Sequence, residues 1–332
     1  MLTIAIPTYN RSMCLNELLK DILLQLQSVD KGFVRVLVSD NASNDGTMDV
    51  VKGFDEDFKS VGSELIYRRN DVNIGFSPNV DFAVRDSPDE FVLIMGDDDG
   101  LEYGALAHVQ EILKRHPDID VLFLREKAYL QDLSAPVSQG EVAGVEQEDV
   151  RVFLDGNDYI RARKGFPPAL VSGYVVRRIS WISAFEKMFN ESICVHMLVA
   201  AQILLRGGVA AESMRFSVKY RVDQPSETWS KDYLYPFRFY LNELSACRIY
   251  MVYANAKVFR LLYRVPLRII LYYIVRQCVV RHPFHKEKFW AVYDDVLPSC
   301  TTIYTIFISV LRHMPSWAVR CMFGWYVRHR EA

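Results

Sequence analysis

Hydrophobic and polar positions alternate in blocks along the first 125 residues. Leu2-Thr3-Ile4-Ala5-Ile6-Pro7 reads as a strand that begins at once and is closed by a proline. The polar stretch Thr8-Tyr9-Asn10-Arg11-Ser12 follows, and then Leu15, Leu18, Leu19, Ile22, Leu23 and Leu26 recur at helical spacing. Phe33 to Val38 is the next strand and runs into the turn formers Ser39-Asp40-Asn41-Ala42-Ser43-Asn44-Asp45-Gly46-Thr47. Leu65-Ile66-Tyr67-Arg68 makes a short third strand before Asn70-Asp71-Val72-Asn73-Ile74-Gly75, a helix covers the region of Asn79 to Val84, and Phe91-Val92-Leu93-Ile94-Met95 is a fourth strand. Strands alternating with helices predict an α/β fold with a mostly parallel sheet and functional loops at the strands' C-terminal ends. The polar segments from Thr8, Asp40, Asn73 and Asp97 all fall at those ends.

The fourth of these segments carries the most chemistry. An apolar strand ends in Gly96-Asp97-Asp98-Asp99, and three adjacent carboxylates raise one another's ionisation cost unless a cation neutralises them. If strand geometry persists, Asp97 and Asp99 point the same way and offer oxygens to one Mg²⁺ or Mn²⁺, with positions left for water and substrate phosphate. A solvated acidic turn is the plain alternative.

Charge divides the chain. Its overall charge of −2 hides 13 Lys and Arg against 4 Asp and Glu from Ser245 onward, or +9, which leaves 26 against 37 in residues 1–244, or −11. Between Lys257 and Arg281, basic residues interleave with aliphatic and aromatic ones, and Arg260, Arg264 and Arg268 form one helical stripe. That pattern suits lying in an anionic membrane interface over residues 257–330. The uncharged run Ile269 to Val275 is far short of the roughly 20 residues of a spanning helix. A helical subdomain or an oligomer interface would hide the same apolar face in protein. The aliphatic interruptions and the lack of a recognition motif argue against nucleic acid as partner. Six scattered cysteines suggest neither a disulfide framework nor a zinc site, and with strand residues at the outset in place of a secretory signal the expected location is cytoplasmic.

Four motifs in order, Pro7-Thr8-Tyr9-Asn10-Arg11, Asp40 to Thr47, Asn73-Ile74-Gly75 and Gly96-Asp97-Asp98-Asp99, resemble the signature of family 2 glycosyltransferases with the GT-A fold. The resemblance covers residues 1–125 well and 165–230 loosely. It implies a nucleotide-diphospho-sugar transferase fold, a Rossmann-like mixed sheet flanked by helices, as a catalytic domain over residues 1–244. Residues 1–125 would be the nucleotide-sugar half and 126–244 the acceptor half, with 245–332 an appended helical tail. By the same resemblance, Pro7, Thr8, Tyr9, Asn10, Arg11 and Asp40 hold the nucleoside, Asp45 orders their loop, and Asn73 to Gly75 lie along the nucleotide. The metal, Mn²⁺ or Mg²⁺, falls to Asp99 with either Asp97 or Asp98, because strand alternation and alignment on Leu101 favour different pairs. Asp97 and Asp98 also belong to the nucleotide-sugar site.

Inverting transfer needs a base on the far face of the sugar, and the family supplies an acid on a helix about a dozen residues before a glycine. His196 stands at about that position in the apolar run before Gly207; Glu191 is the alternative and Asp223 a more distant one. Arg221 and Trp229 resemble the residues that border diphosphate and acceptor. Joined to the tail, these features imply transfer of a sugar to a lipid-linked acceptor at the inner face of the plasma membrane, in O-antigen, capsule or related polysaccharide synthesis. A non-catalytic scaffold is one rival. A sugar nucleotidyltransferase is another, but Pro7 to Ser12 lacks the glycines of a triphosphate loop.

Overall fold

The computed structural model of the protein describes residues 1–137, 149–163, 167–168, 170–191 and 194–221. The chain divides into two units, Met1–Gln224 and Pro225–Ala332, and every described residue belongs to the first. Asp223, Trp229 and the basic segment 257–330, with the membrane association expected of it, lie outside the described residues.

The first seven elements follow the hydrophobic pattern: β1 (Leu2–Thr8), α1 (Ser12–Gln25), β2 (Val34–Asp40), α2 (Thr47–Ser60), β3 (Leu65–Arg69), α3 (Phe76–Arg85) and β4 (Phe91–Ile94). They are followed by β5 (Gly100–Leu101), α4 (Ala105–Arg115), β6 (Val121–Tyr129), β7 (Val150–Phe153) and α5 (Gly156–Arg163). The described part closes with β8 (Tyr174–Arg177), α6 (Arg178–Ala184), α7 (Val195–Leu205) and β9 (Ala210–Arg221). The helical spacing of Leu15, Leu18, Leu19 and Ile22 buries all four, each contributing about 1.5–3 kcal/mol of apolar transfer energy. One core layer joins α1, α2 and α4 to Leu2, Ile4, Ile6, Val34, Val36 and Val38 of the sheet. On the other side α3 packs on β1 and β2 and meets α6 and α7, so β1 is buried along its whole length.

The sheet runs β3-β2-β1-β4-β8-β6-β9-β5, with β7 paired to β9. Its first four strands are parallel, and polarity reverses where β8 joins β4 through Phe91↔Arg177, Val92↔Val176, Leu93↔Val175 and Ile94↔Tyr174. The loop entering β8 therefore lies against the loop leaving β4. Gly173, with φ +96°, makes that entry; a Cβ there would stand 3.2 Å from Val218 Cγ2 and 3.3 Å from Leu124 Cβ. Among the described residues, no helix is long and apolar enough to cross a membrane.

Candidate active site

The loops after β1 and β2 are latched together. Asn10, at φ +54°, donates its N–H to Ser43 Oγ at 2.9 Å, and its Oδ1 accepts from the Asn44 N–H at 2.9 Å. Asp45 links the starts of two helices: Oδ2 accepts from the Ser12 N–H at 2.9 Å, and Oδ1 accepts from the N–H and hydroxyl of Thr47. Burial works against its charge, but the bonds from Thr47 and Ser12 outweigh burial and hold the carboxyl below its usual range.

Asp40 closes β2 and is 1% exposed. Its Oδ1 accepts from the Ser43 N–H at 2.9 Å and its Oδ2 from the Tyr67 hydroxyl at 2.5 Å, with Arg69 Nε 3.5 Å away. The carboxylate thus lies beneath the loop and fixes Tyr67 and Arg69 at its edge. Tyr9 is exposed directly after Pro7 and Thr8 at the end of β1. Asn73 and Gly75 are held through Asn41, whose Nδ2 donates to Asn73 Oδ1 at 2.8 Å and to the Gly75 carbonyl at 3.1 Å. Asn41 Oδ1 accepts from the Ile74 N–H and from Asn70 Nδ2. Buried Asn79 completes the network: Oδ1 accepts from Ser39 Oγ and Asn70 Nδ2, while Nδ2 donates to the Ser39 carbonyl.

Strand geometry does not persist through the three aspartates. β4 ends at Ile94, and the Asp99 N–H turns back to the Gly96 carbonyl at 3.4 Å, so the alternation expected of Asp97 and Asp99 gives way to a turn. The carboxylates then take separate surroundings. Asp97 accepts from Thr8 Oγ1 at 2.6 Å and Arg11 Nη1 at 3.1 Å. Asp99 accepts from the Ser172 hydroxyl and, at 3.3 Å, from the Arg221 N–H. Asp98 accepts from Arg11 Nη1 at 2.6 Å, and its side chain is 26% exposed against 6% for that of Asp97. Burial is the main cause that pushes Asp97 up to about 6, with Arg11 opposing and Asp98 adding to it. Burial and then Asp98 push Asp99 up to about 7, against the Ser172 hydroxyl. Ser172 Oγ also accepts from the Gly96 N–H at 2.8 Å, and a Cβ on Gly96 would lie 3.0 Å from that oxygen and 3.2 Å from Asp98 Oδ1.

These residues fit a divalent cation of the magnesium type. Among the described residues no three His, Cys, Asp or Glu side chains gather as a self-sufficient cage. Hard cations of this kind are held by one or two carboxylates plus substrate phosphate. Of the three, Asp98 has the most accessible carboxylate, paired with Arg11, while Asp97 is buried against Thr8 and Arg11 and Asp99 against Ser172.

The remaining expected residues are placed as follows. Arg221 ends β9 with a side chain only 6% exposed; Nε donates to the Asp98 carbonyl, Nη1 to the Gln131 carbonyl and Nη2 to Glu17. It clamps the aspartate turn to α1. His196 lies in the first turn of α7, 2% exposed, with its ring edge-on to Tyr174 at 5.0 Å between centroids. Glu191 ends a 3-10 turn, Lys187–Glu191. Ser172, Asn79 and Tyr67 were not singled out by sequence reasoning, because their partners are distant in the chain.

A parallel nucleotide-type half, a polarity reversal and an aspartate turn at the reversal define the chain as a GT-A nucleotide-diphospho-sugar transferase fold. A model described as glycosyl transferase family 2 matches residues 3–165, just under half of the chain. Over 120 residues the chain is 35% identical to abequosyltransferase RfbV of Salmonella typhimurium, a match that covers 36% of this chain and spans about a third (34%) of that relative. In structure it is similar to residues 1–349 of S. aureus TarS in complex with UDP-GlcNAc, with TM-score 0.64, 18% identity and coverage of 89% of this chain and 80% of that one. It is also similar to the mannosyltransferase PcManGT from Pyrobaculum calidifontis in complex with GDP-Man and Mn²⁺, with TM-score 0.54, 14% identity and coverage of 98% and 84%. These structural likenesses concern the fold.

Proposed function

We propose that this chain is a metal-dependent inverting glycosyltransferase that moves a sugar from a nucleoside-diphosphate donor to a lipid-linked saccharide. The setting is O-antigen, capsule or related surface-polysaccharide synthesis at the cytoplasmic membrane face. The observation that carries the reading is the aspartate turn, in which Asp98 and Asp99 present oxygens between a nucleotide-type half-sheet and an antiparallel half. Nucleotide sugars in the two structural neighbours and Mn²⁺ in one of them support the donor class and the ion. The abequosyltransferase relative supports sugar transfer, and the basic, aromatic run of residues 257–330 supports a membrane-borne acceptor.

The loops after β1, β2 and β3, with Thr8, Tyr9, Asn10, Asn73 and Gly75, form the nucleotide wall, stiffened by Asp40, Asp45 and Asn41 from behind. Asp98 and Asp99 would hold Mn²⁺ or Mg²⁺, and the chemistry the ion would supply there is neutralisation of the charge that develops on a departing diphosphate. The acceptor oxygen forms a bond to the sugar's anomeric carbon as the carbon–oxygen bond to the diphosphate breaks and its electrons leave with the diphosphate. A base takes the acceptor's proton. We assign that role to His196, packed against Tyr174 at the start of β8, two residues after Ser172, with Glu191 as the alternative.

Thermal stabilisation of the full chain by UDP, GDP, CDP and dTDP, each with and without Mn²⁺, tests the donor site. Metal-dependent stabilisation by one nucleotide, lost in Asp98→Asn, is the expected result. No response to any of the four in folded protein would refute it. For the base, His196→Gln should lower turnover by about a hundredfold or more while leaving donor binding intact; a variant with wild-type turnover would transfer the role to Glu191.

A further inference from the structure

Arg11 occupies the accessible aspartate of the turn. It follows Asn10, whose left-handed backbone is unfavourable for a non-glycine residue and is fixed at both its N–H and its side chain by Ser43 and Asn44. From this turn Arg11 Nη1 donates to Asp98 Oδ2 at 2.6 Å and Asp97 Oδ1 at 3.1 Å. The two acceptors differ in what else they have. Asp97 is buried and keeps the Thr8 hydroxyl, whereas the Asp98 carboxylate has no other hydrogen-bond partner among the described residues. The Arg11 side chain is 39% exposed, and an ion pair open to water on one side exchanges partners at modest free-energy cost. A planar, permanently charged fork suits a diphosphate as well as a carboxylate.

The geometry points to Arg11 as a resident counter-cation that holds Asp98 before the donor binds and gives up that carboxylate when the metal and diphosphate arrive, moving its guanidinium onto the diphosphate. This rests on the donor-site reading above. It carries a consequence that a purely structural ion pair lacks. Metal alone must compete with Arg11 for Asp98 and binds weakly; the diphosphate, by drawing Arg11 away, strengthens metal binding, and by linkage the metal strengthens nucleotide binding equally. Removing the Arg11 charge should therefore improve nucleotide-free metal affinity, where loss of an ordinary structural contact would leave it unchanged or impair it.

The test is a Mn²⁺ titration of the full-length protein, followed by loss of the free-ion electron paramagnetic resonance signal, with and without UDP, GDP, CDP or dTDP. Arg11→Met should bind Mn²⁺ without nucleotide at least about fivefold more tightly than wild type, and Arg11→Lys, which keeps the charge, should stay within about twofold. The nucleotide's enhancement of Mn²⁺ affinity should shrink in Arg11→Met by the factor gained without nucleotide. Adding Asp98→Asn should erase the gain. Should Arg11→Met fail to fold by circular dichroism, Arg11→Gln is read in the same way. Unchanged or weaker nucleotide-free Mn²⁺ binding in a folded charge-removal variant overturns the proposal and leaves the donor site standing. Absence of any nucleotide effect on wild-type Mn²⁺ affinity overturns the donor site, and the proposal with it.

Discussion

Replacing Ser172 by Ala removes one oxygen atom from the molecule and breaks two buried connections. Ser172 is 1% exposed; its hydroxyl donates to Asp99 and its oxygen accepts from the Gly96 N–H at 2.8 Å. A hydrogen bond to a charged group is worth about 1.5–3 kcal/mol, and a buried N–H left without an acceptor costs about 1–3 kcal/mol. The two add to about 3 kcal/mol or more. For a domain of 150–250 residues, 3 kcal/mol lowers Tm by about 6–12 °C. The assay is differential scanning calorimetry of Ser172→Ala beside wild type, with urea unfolding followed through buried Trp181. The same variant should lose most of its metal-dependent nucleotide stabilisation, because Asp99 is no longer tied to the loop entering β8. A shift below about 2 °C with nucleotide binding retained would refute the bridging role of the hydroxyl.

Three further outcomes follow from the same geometry. Asn79→Ala breaks two buried hydrogen bonds to Ser39 and a half-buried one from Asn70 and should destabilise the protein by about 2–4 kcal/mol in urea unfolding. Two glycine-to-alanine changes should have opposite signs: at Gly156 the new Cβ would lie 2.4 Å from Leu204 Cα and lower Tm, whereas at Gly53 within α2 nothing lies within 4 Å and helix propensity should raise stability by about 0.5–1 kcal/mol. Burial pushes Glu126 up from 4.5 to about 7, with Arg163 opposing. The folded protein then holds more protons than the unfolded chain between these values, so this group makes stability fall as pH rises through that window. Glu126→Gln should flatten the slope and stabilise the protein at pH 8 by up to about 3 kcal/mol, as read from urea midpoints across pH.

The first four strands and the helices α1 and α3 were legible because each buries an apolar stripe of regular period, and such stripes are local. The loop residues were legible as polar clusters at strand ends. Their contacts within the fold were not: Asp40 accepts from the Tyr67 hydroxyl near Arg69, and Asp97 accepts from Thr8 and Arg11, partners that lie far away in the chain. Strand periodicity could not order the three aspartates, because the chain turns after Ile94. Ser172 was invisible as the support of Asp99, since 73 positions separate them and a serine before a glycine has no distinctive pattern. His196 stood out as a polar residue in an apolar run, but its contact with Tyr174 depends on how α7 packs against β8.

The β4–β8 ladder joins the two halves of the sheet through four residue pairs, and its bonds are made by backbone rather than by chosen side chains. A junction of that kind is indifferent to much of the sequence on either flank. The parallel strands can keep their mutual register while the side chains of β8 and α7 diversify, because the pairing that joins them asks little of side-chain identity. The family match, which ends at residue 165, stops before β8. A chimera that exchanges residues 174–221 between two such proteins would cut along this junction and should still fold cooperatively, as read by circular dichroism and urea unfolding.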